Sequence, residues 1–178
     1  VQPYVPEQII PKFCRPGNIV MDIGANIGEY TLSMAKMVGD TGKVFSIEPN
    51  PSMVQALKKT IAINNLSQVS VLHGAISNQT GHLNLNIPYT KDDQALSGGV
   101  QLGEEHMMPE KEAVVSWGAI EKTKIIEIYA TTIDSYISEK GIKKLDFIKV
   151  DVEGHEKNVL MGSENLIKVL GLNGLGYG

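Results

Sequence analysis

Residues 19–31 read Ile19-Val20-Met21-Asp22-Ile23-Gly24-Ala25-Asn26-Ile27-Gly28-Glu29-Tyr30-Thr31. Ile19 to Ile23 is a continuous apolar run broken by one acid near its end, the pattern of a strand buried on both faces. The segment after it carries Ile27, Tyr30, Met34 and Met37 at steps of three and four and stops at Gly39-Asp40-Thr41-Gly42, which predicts an amphipathic helix with that face inward. Small residues at the junction let a ligand approach the backbone, and free N–H groups at the start of the helix can receive an anionic group.

The pattern repeats outward from this stretch. Val44 to Glu48 reads as a second strand, with Asn50 as N-cap, Pro51 at the first helical position, and Val54, Leu57 and Ile61 on one face of a helix ending near Asn64-Asn65. Gln68 to His73 gives a third strand, and residues 82–87 alternate polar and apolar as a half-buried antiparallel strand does. Ile125 to Thr131 resumes a strand, Thr132 to Glu139 a short helix, and Leu145 to Val150 a buried strand that delivers Asp151 at its carboxyl end. Strand and helix alternating in this way predict an α/β, doubly wound sheet, in which ligands bind outside the carboxyl ends of the strands. One domain is expected over 1–178, with a Pro-punctuated lead-in at 1–18 (Pro3, Pro6, Pro11, Pro16). Residues 98–124 hold no period over a length beyond the ~12–15 residues at which structureless loops become uncommon. An insertion or lid, with Met107, Met108 and Trp117 as its apolar residues, is expected there.

Composition narrows the partners. With 42% hydrophobic and 20% charged residues the chain is globular, and 16 basic against 20 acidic residues leave a net charge of −4. Nothing in that balance gathers phosphate backbones, so nucleic acid is not expected as partner. The single Cys14 excludes an intrachain disulfide and a multi-cysteine zinc site. No apolar run approaches the ~20 residues of a membrane helix, and a cytoplasmic location is expected.

Glu48, twenty residues beyond Gly28 at the end of the second strand, is placed to accept hydrogen bonds from ribose hydroxyls, so the cofactor is a nucleoside. Asn26 stands where the dinucleotide fingerprint needs its second glycine, which leaves less room for a pyrophosphate and weighs against NAD. No phosphate-binding P-loop pattern occurs. The loop suits S-adenosylmethionine, whose amino-acid end takes the place of the pyrophosphate.

Three motifs in order, Val20 to Thr31, Glu48-Pro49-Asn50-Pro51, and Lys149-Val150-Asp151-Val152-Glu153-Gly154-His155-Glu156, resemble the FkbM-type methyltransferase family. The resemblance implies a Rossmann-like class I methyltransferase sheet and O-methylation of a small-molecule or glycan hydroxyl, on a sugar or natural product, with S-adenosylmethionine as methyl donor. By position it implies that Asp22, Gly24, Ala25, Asn26 and Gly28 line the methionine end of the cofactor, that Glu48 holds the ribose, and that Ala75 sits near the adenine. Asp151, Glu153 and His155, after the last strand, are the candidate catalytic residues, Asp151 to orient and Glu153 to accept the proton. A divalent cation on this cluster with Glu156 is the alternative route, ranked behind a metal-free one. The competing functions are a nucleoside-binding module without turnover and an NAD-dependent oxidoreductase. The family pattern has three more strands after Val150, whereas Leu170 to Gly178 is too rich in glycine to read as a strand, so the sheet is expected to lack its last strands, cut short or reduced.

Overall fold

The computed structural model describes residues 6–92, 95, 100–103, 114–115, 118–119 and 122–169. Strands β1 (Ile19–Ile23), β2 (Lys43–Glu48), β3 (Val69–His73) and β10 (Phe147–Val150) form a parallel sheet in the order β10-β1-β2-β3. The chain runs from β1 outward to β3 and returns on the far side of β1 as β10. The strand order therefore reverses between β1 and β10, where an open α/β sheet opens its ligand crevice. Register places Asp22 of β1 between Ser46 of β2 and Lys149 of β10, so these three polar residues share one face.

Side-chain alternation then divides the core. Val20 and Val44 face helix α2 (Glu29–Val38) and pack with its Met34, Ala35 and Val38. Met21, Ile23 and Ile47 point the other way, against Ile133 and Tyr136 of α4 (Ile133–Lys140) and Val159 of α5 (Glu156–Met161). Helix α3 (Pro51–Ile63) begins as its sequence predicts, Asn50 Oδ1 accepting the Ser52 N–H at 3.0 Å with Pro51 behind it, and buries Val54 and Leu57.

Tertiary packing changes several expectations. The lead-in holds a helix, α1 (Pro6–Phe13), which buries Ile10 against the α2 side of the sheet together with Cys14, while Phe13 stacks on Phe147 at 5.3 Å. The inner face of α2 is Thr31, Met34, Ala35 and Val38, and Ile27, expected inside, is 44% exposed. The polar Asp22 beneath the helix turns Thr31 inward and rotates the buried stripe. β10 is half-buried because among the described residues it is the sheet's edge.

A second sheet, in the order β4-β9-β5-β6, is built from β4 (Ala75–Ile76), β5 (Gly81–Tyr89), β6 (Gln101–Leu102) and β9 (Lys122–Thr131). β5 and β9 pair antiparallel along their whole lengths, from Gly81 opposite Ala130 to Tyr89 opposite Lys122, and are longer than alternation alone marks out. Within the expected lid, β6 adds to β5, and β7 (Val114–Val115) pairs with β8 (Gly118–Ala119). The remainder of 98–124, including Met107, Met108 and Trp117, lies outside the described residues, as does 170–178, where the last strands were in question. Helix α6 (Glu164–Val169) ends the described chain. Among the described residues no helix is long and apolar enough to cross a membrane.

The turn between α5 and α6 sits directly on the second sheet, and a Cβ at Gly162 would lie 2.0 Å from the Ser77 carbonyl oxygen and 3.2 Å from Thr132 Cβ. Backbone cannot yield as a flexible side chain does. Gly162→Ala is expected to lower the urea midpoint by the equivalent of about 1–3 kcal/mol, and an unchanged midpoint would contradict this contact.

Candidate cofactor and acceptor site

The loop after β1 is shaped by its neighbours. Gly24 has φ +77, and a Cβ there would meet the Asp151 carbonyl oxygen at 1.9 Å, so only glycine lets the ends of β1 and β10 close together. The Gly24 and Ala25 N–H groups both donate to Ile47 O at 3.0 Å, and Gly28 N–H donates to Ala25 O at 2.9 Å. Asn26 takes a left-handed φ of 53, which asparagine tolerates, and aims its N–H at Glu48 Oε2 at 2.9 Å. Four of the N–H groups of this loop, ahead of the first turn of α2, are thus already used within the protein.

Glu48 is buried, and its other oxygen accepts the Asn50 N–H at 2.8 Å. One carboxylate therefore fastens the loop after β1 to the loop after β2. Burial raises the Glu48 carboxyl above its ordinary range, an effect that the Asn50 and Asn26 donors and the nearby Lys149 offset only in part. Each oxygen keeps a further lone pair for a ligand hydroxyl.

Lys149 occupies the reversal of strand order. Its ammonium donates to Gly24 O at 2.8 Å, lies 3.1 Å from Asp22 Oδ1 and 3.7 Å from Asp151 Oδ2, and stands 5.1 Å above the Tyr30 ring. The Asp22 contact is an ion pair outside hydrogen-bonding angles. Asp22 itself is fully buried, accepting the Thr31 hydroxyl at 2.7 Å, and that hydroxyl in turn is 2.8 Å from Ser46 Oγ.

Beyond β10 the chain turns sharply through Glu153 (φ 48) and Gly154 (φ 90). Glu156 Oε1 accepts the N–H groups of Val152 at 3.1 Å and Gly154 at 3.3 Å and so pins this turn. Burial acts to raise the Glu156 carboxyl, but these donors and the N–H of Glu156 itself outweigh it and hold the group below its ordinary value. His155 turns away from the crevice. Its Nδ1 lies 3.2 Å from the Asn158 amide nitrogen and its Nε2 3.0 Å from Ser77 Oγ, which donates to Asn78 Oδ1 at 3.2 Å. With the amide donating, the ring is neutral with its proton on Nε2, an assignment that follows from the network.

Between the two sheets these elements enclose a cavity of about 390 Å³. Gly24, Ala25, Asn26, Glu48 and Ala75 are on its wall, and so are Asp151 and Glu153. Three sequence-predicted residues are not. Asp22 lies beneath the wall, where it meets Lys149 and Thr31, Gly28 faces α3 with a Cβ position 2.7 Å from Leu57 Cδ1, and His155 faces Ser77. Sequence reasoning missed Lys149, Tyr30 and Met53, and also Leu85 and Leu102 from the second sheet. Lys149 had a signal, since strand parity puts it on the same side as Asp151. Leu85 and Leu102 had none, because their approach depends on how the sheets pack. Among the described residues no group of three His, Cys, Asp or Glu side chains is arranged to hold a metal ion.

A model of the FkbM methyltransferase domain matches residues 22–172. The chain belongs to this family. It is 23% identical over 167 residues to the 2-O-methyltransferase NoeI of Sinorhizobium fredii, covering 92% of this chain and 64% of that protein. It is 27% identical over 168 residues to the 31-O-demethyl-FK506 methyltransferase FkbM of Streptomyces tacrolimicus, covering 85% and 61% respectively. The crystal structure of methyltransferase FkbM from Methylobacillus flagellatus KT superposes with a TM-score of 0.53 at 18% identity over 92% of this chain and 37% of that one, which shows the shared fold. The chain thus spans less than two thirds of the length of the curated relatives it matches. S-adenosylmethionine is the cofactor of the family, and a cavity of this size beside the glycine loop and the Glu48 carboxylate fits it.

The His155 network carries a pH dependence. Burial lowers the ring's pKa below 6.5, with Glu156 opposing, so as pH falls the unfolded chain takes up the proton first and folding stability declines. Denaturation midpoints between pH 7.5 and 5 are expected to fall more steeply for the natural chain than for His155→Gln, and equal slopes would refute the buried neutral ring.

Proposed function

We propose that the chain binds S-adenosylmethionine in this cavity and methylates a hydroxyl of a sugar or natural product. The charge of the wall carries the reading: Glu29, Glu48, Asp151 and Glu153 face Lys149, four carboxylates to one ammonium among the described lining residues. Such a surface favours a ligand of net positive charge, and S-adenosylmethionine has a sulfonium and an ammonium against one carboxylate. The same wall opposes the two negative charges of a pyrophosphate, which disfavours NAD and the oxidoreductase reading.

The family match and the O-methyltransferase relatives support hydroxyl methylation. Glu48 holds the ribose hydroxyls, Ile47 and Met53 give the apolar wall, and Ala75 leaves room beside the base. The cofactor, when bound, supplies an electrophilic methyl group. Asp151 and Glu153 orient the acceptor hydroxyl and take its proton, so catalysis rests on proximity and general-base assistance. His155 leaves the catalytic set, because it is committed to Ser77 and Asn158.

Isothermal titration tests the cofactor. S-adenosylhomocysteine is expected to bind and NAD not to, and Glu48→Ala is expected to cost on the order of 1.5–3 kcal/mol of S-adenosylhomocysteine affinity through lost charge-assisted hydrogen bonds. Unchanged affinity would remove Glu48 from the ribose site. Methyl transfer to a panel of hydroxylated acceptors tests the chemistry: Asp151→Asn and Glu153→Gln are each expected to slow it at least about tenfold. Near-normal rates would take both acids out of the mechanism, and loss of the natural chain's activity with chelator, restored by Mg²⁺, would overturn the metal-free route.

A further inference from the structure

Resting on the cofactor reading above, we infer that Lys149 is the anchor for the carboxylate at the amino-acid end of the bound S-adenosyl ligand. The first observation is one of supply. A carboxylate entering this cavity meets Glu29, Asp151 and Glu153, all repulsive, and among the described lining residues a single ammonium. The second concerns the alternative receptor. Helix starts ordinarily receive anions through free backbone N–H groups, but in the loop that leads into α2 the N–H groups of Gly24 and Ala25 are given to Ile47 O, that of Asn26 to Glu48, and that of Gly28 to Ala25 O, so an anion there would rely on the first-turn N–H groups, beside the acidic Glu29.

Lys149 also has donor capacity to spare. Its ammonium carries three N–H groups, of which one is spent on Gly24 O at 2.8 Å. The Asp22 oxygen at 3.1 Å is off the bonding angle, and Asp151 Oδ2 stands at 3.7 Å, beyond bonding distance. Asp151 is 69% exposed and at 3.7 Å makes no hydrogen bond to the ammonium, so an arriving carboxylate takes its place there without breaking one. The Lys149 side chain is 13% exposed, and that shielding strengthens the pairing relative to a surface lysine. Asp22, which a sequence reading puts at the ligand, acts from beneath as a positioning residue that fixes the ammonium through the cross-strand pair Asp22 and Lys149.

The test compares three ligands by isothermal titration: S-adenosylhomocysteine, its decarboxylated analogue, and 5′-methylthioadenosine, which lacks the amino-acid end altogether. For the natural chain, removal of the carboxylate alone is expected to weaken binding about ten- to a hundredfold, the range of a charge-assisted hydrogen bond. Lys149→Met is expected to weaken S-adenosylhomocysteine by a similar factor while leaving 5′-methylthioadenosine within about twofold, with Lys149→Arg recovering part of the loss. Since Lys149→Met strands a buried carboxylate, the double variant Asp22→Asn, Lys149→Met removes the pair together and is expected to show the same ligand selectivity. Equal weakening of all three ligands would make Lys149 merely structural and overturn the inference. So would a decarboxylated analogue that binds the natural chain as tightly as S-adenosylhomocysteine. If 5′-methylthioadenosine and S-adenosylhomocysteine both fail to bind the natural chain, it is the cofactor reading that fails, and the anchor falls with it.

Discussion

The site depends on one ammonium placed where the strand order reverses. Lys149 bonds the Gly24 carbonyl and faces Asp22, and so joins β1 to β10 at that reversal. A buried ion pair is a poor source of net stability, because desolvation of both charges consumes most of their attraction, yet removing one partner alone typically costs about 3–5 kcal/mol. Its value here is positional. With Thr31 and Ser46 completing the polar group under α2, the pair fixes the height of the glycine loop against the strand ends.

Glu48 performs the corresponding task one strand over. By accepting from Asn26 and Asn50 it locks two loops that have no other direct bond to each other among the described hydrogen bonds, and burial makes that carboxylate costly to hold in its charged form. Glu48 thus combines a structural role with a place on the cavity wall. The second sheet closes the cavity from the other side with aliphatic side chains, so an apolar wall faces an acidic one across the ligand space. The division suits a ligand with a base at one end and charges at the other.

Much of this was legible before any coordinate. The run Ile19 to Ile23 with its glycine loop, Glu48 at the end of the next strand, and Asp151 at the end of the last all lie where local pattern places them, because strand parity and capping chemistry act over a few residues. The errors share a cause. Ile27 reads as an inward residue and is exposed, since the face of α2 is set by Asp22 calling Thr31 inward, a contact across nine residues that periodicity cannot register. Pro6 to Phe13 reads as a lead-in because proline suggests loops, yet Pro6 opens a helix without loss, its missing N–H being one that no helix start uses. His155 reads as a base from its chemistry alone, and packing brings Ser77 and Asn158 to its ring, away from the cavity wall.

The sequence by itself determined the class of fold, the glycine loop, the carboxylate at the end of the second strand and the acids that follow the last parallel strand. These are properties of spacing, and spacing is written in the chain. Tertiary structure alone decided which of the candidate residues line the cavity. Asp22 and Lys149 meet on one face of the sheet because two strands 127 residues apart, from Ile19 to Asp146, pair in one register, and a shift of one residue would have parted the ammonium from the carboxylate.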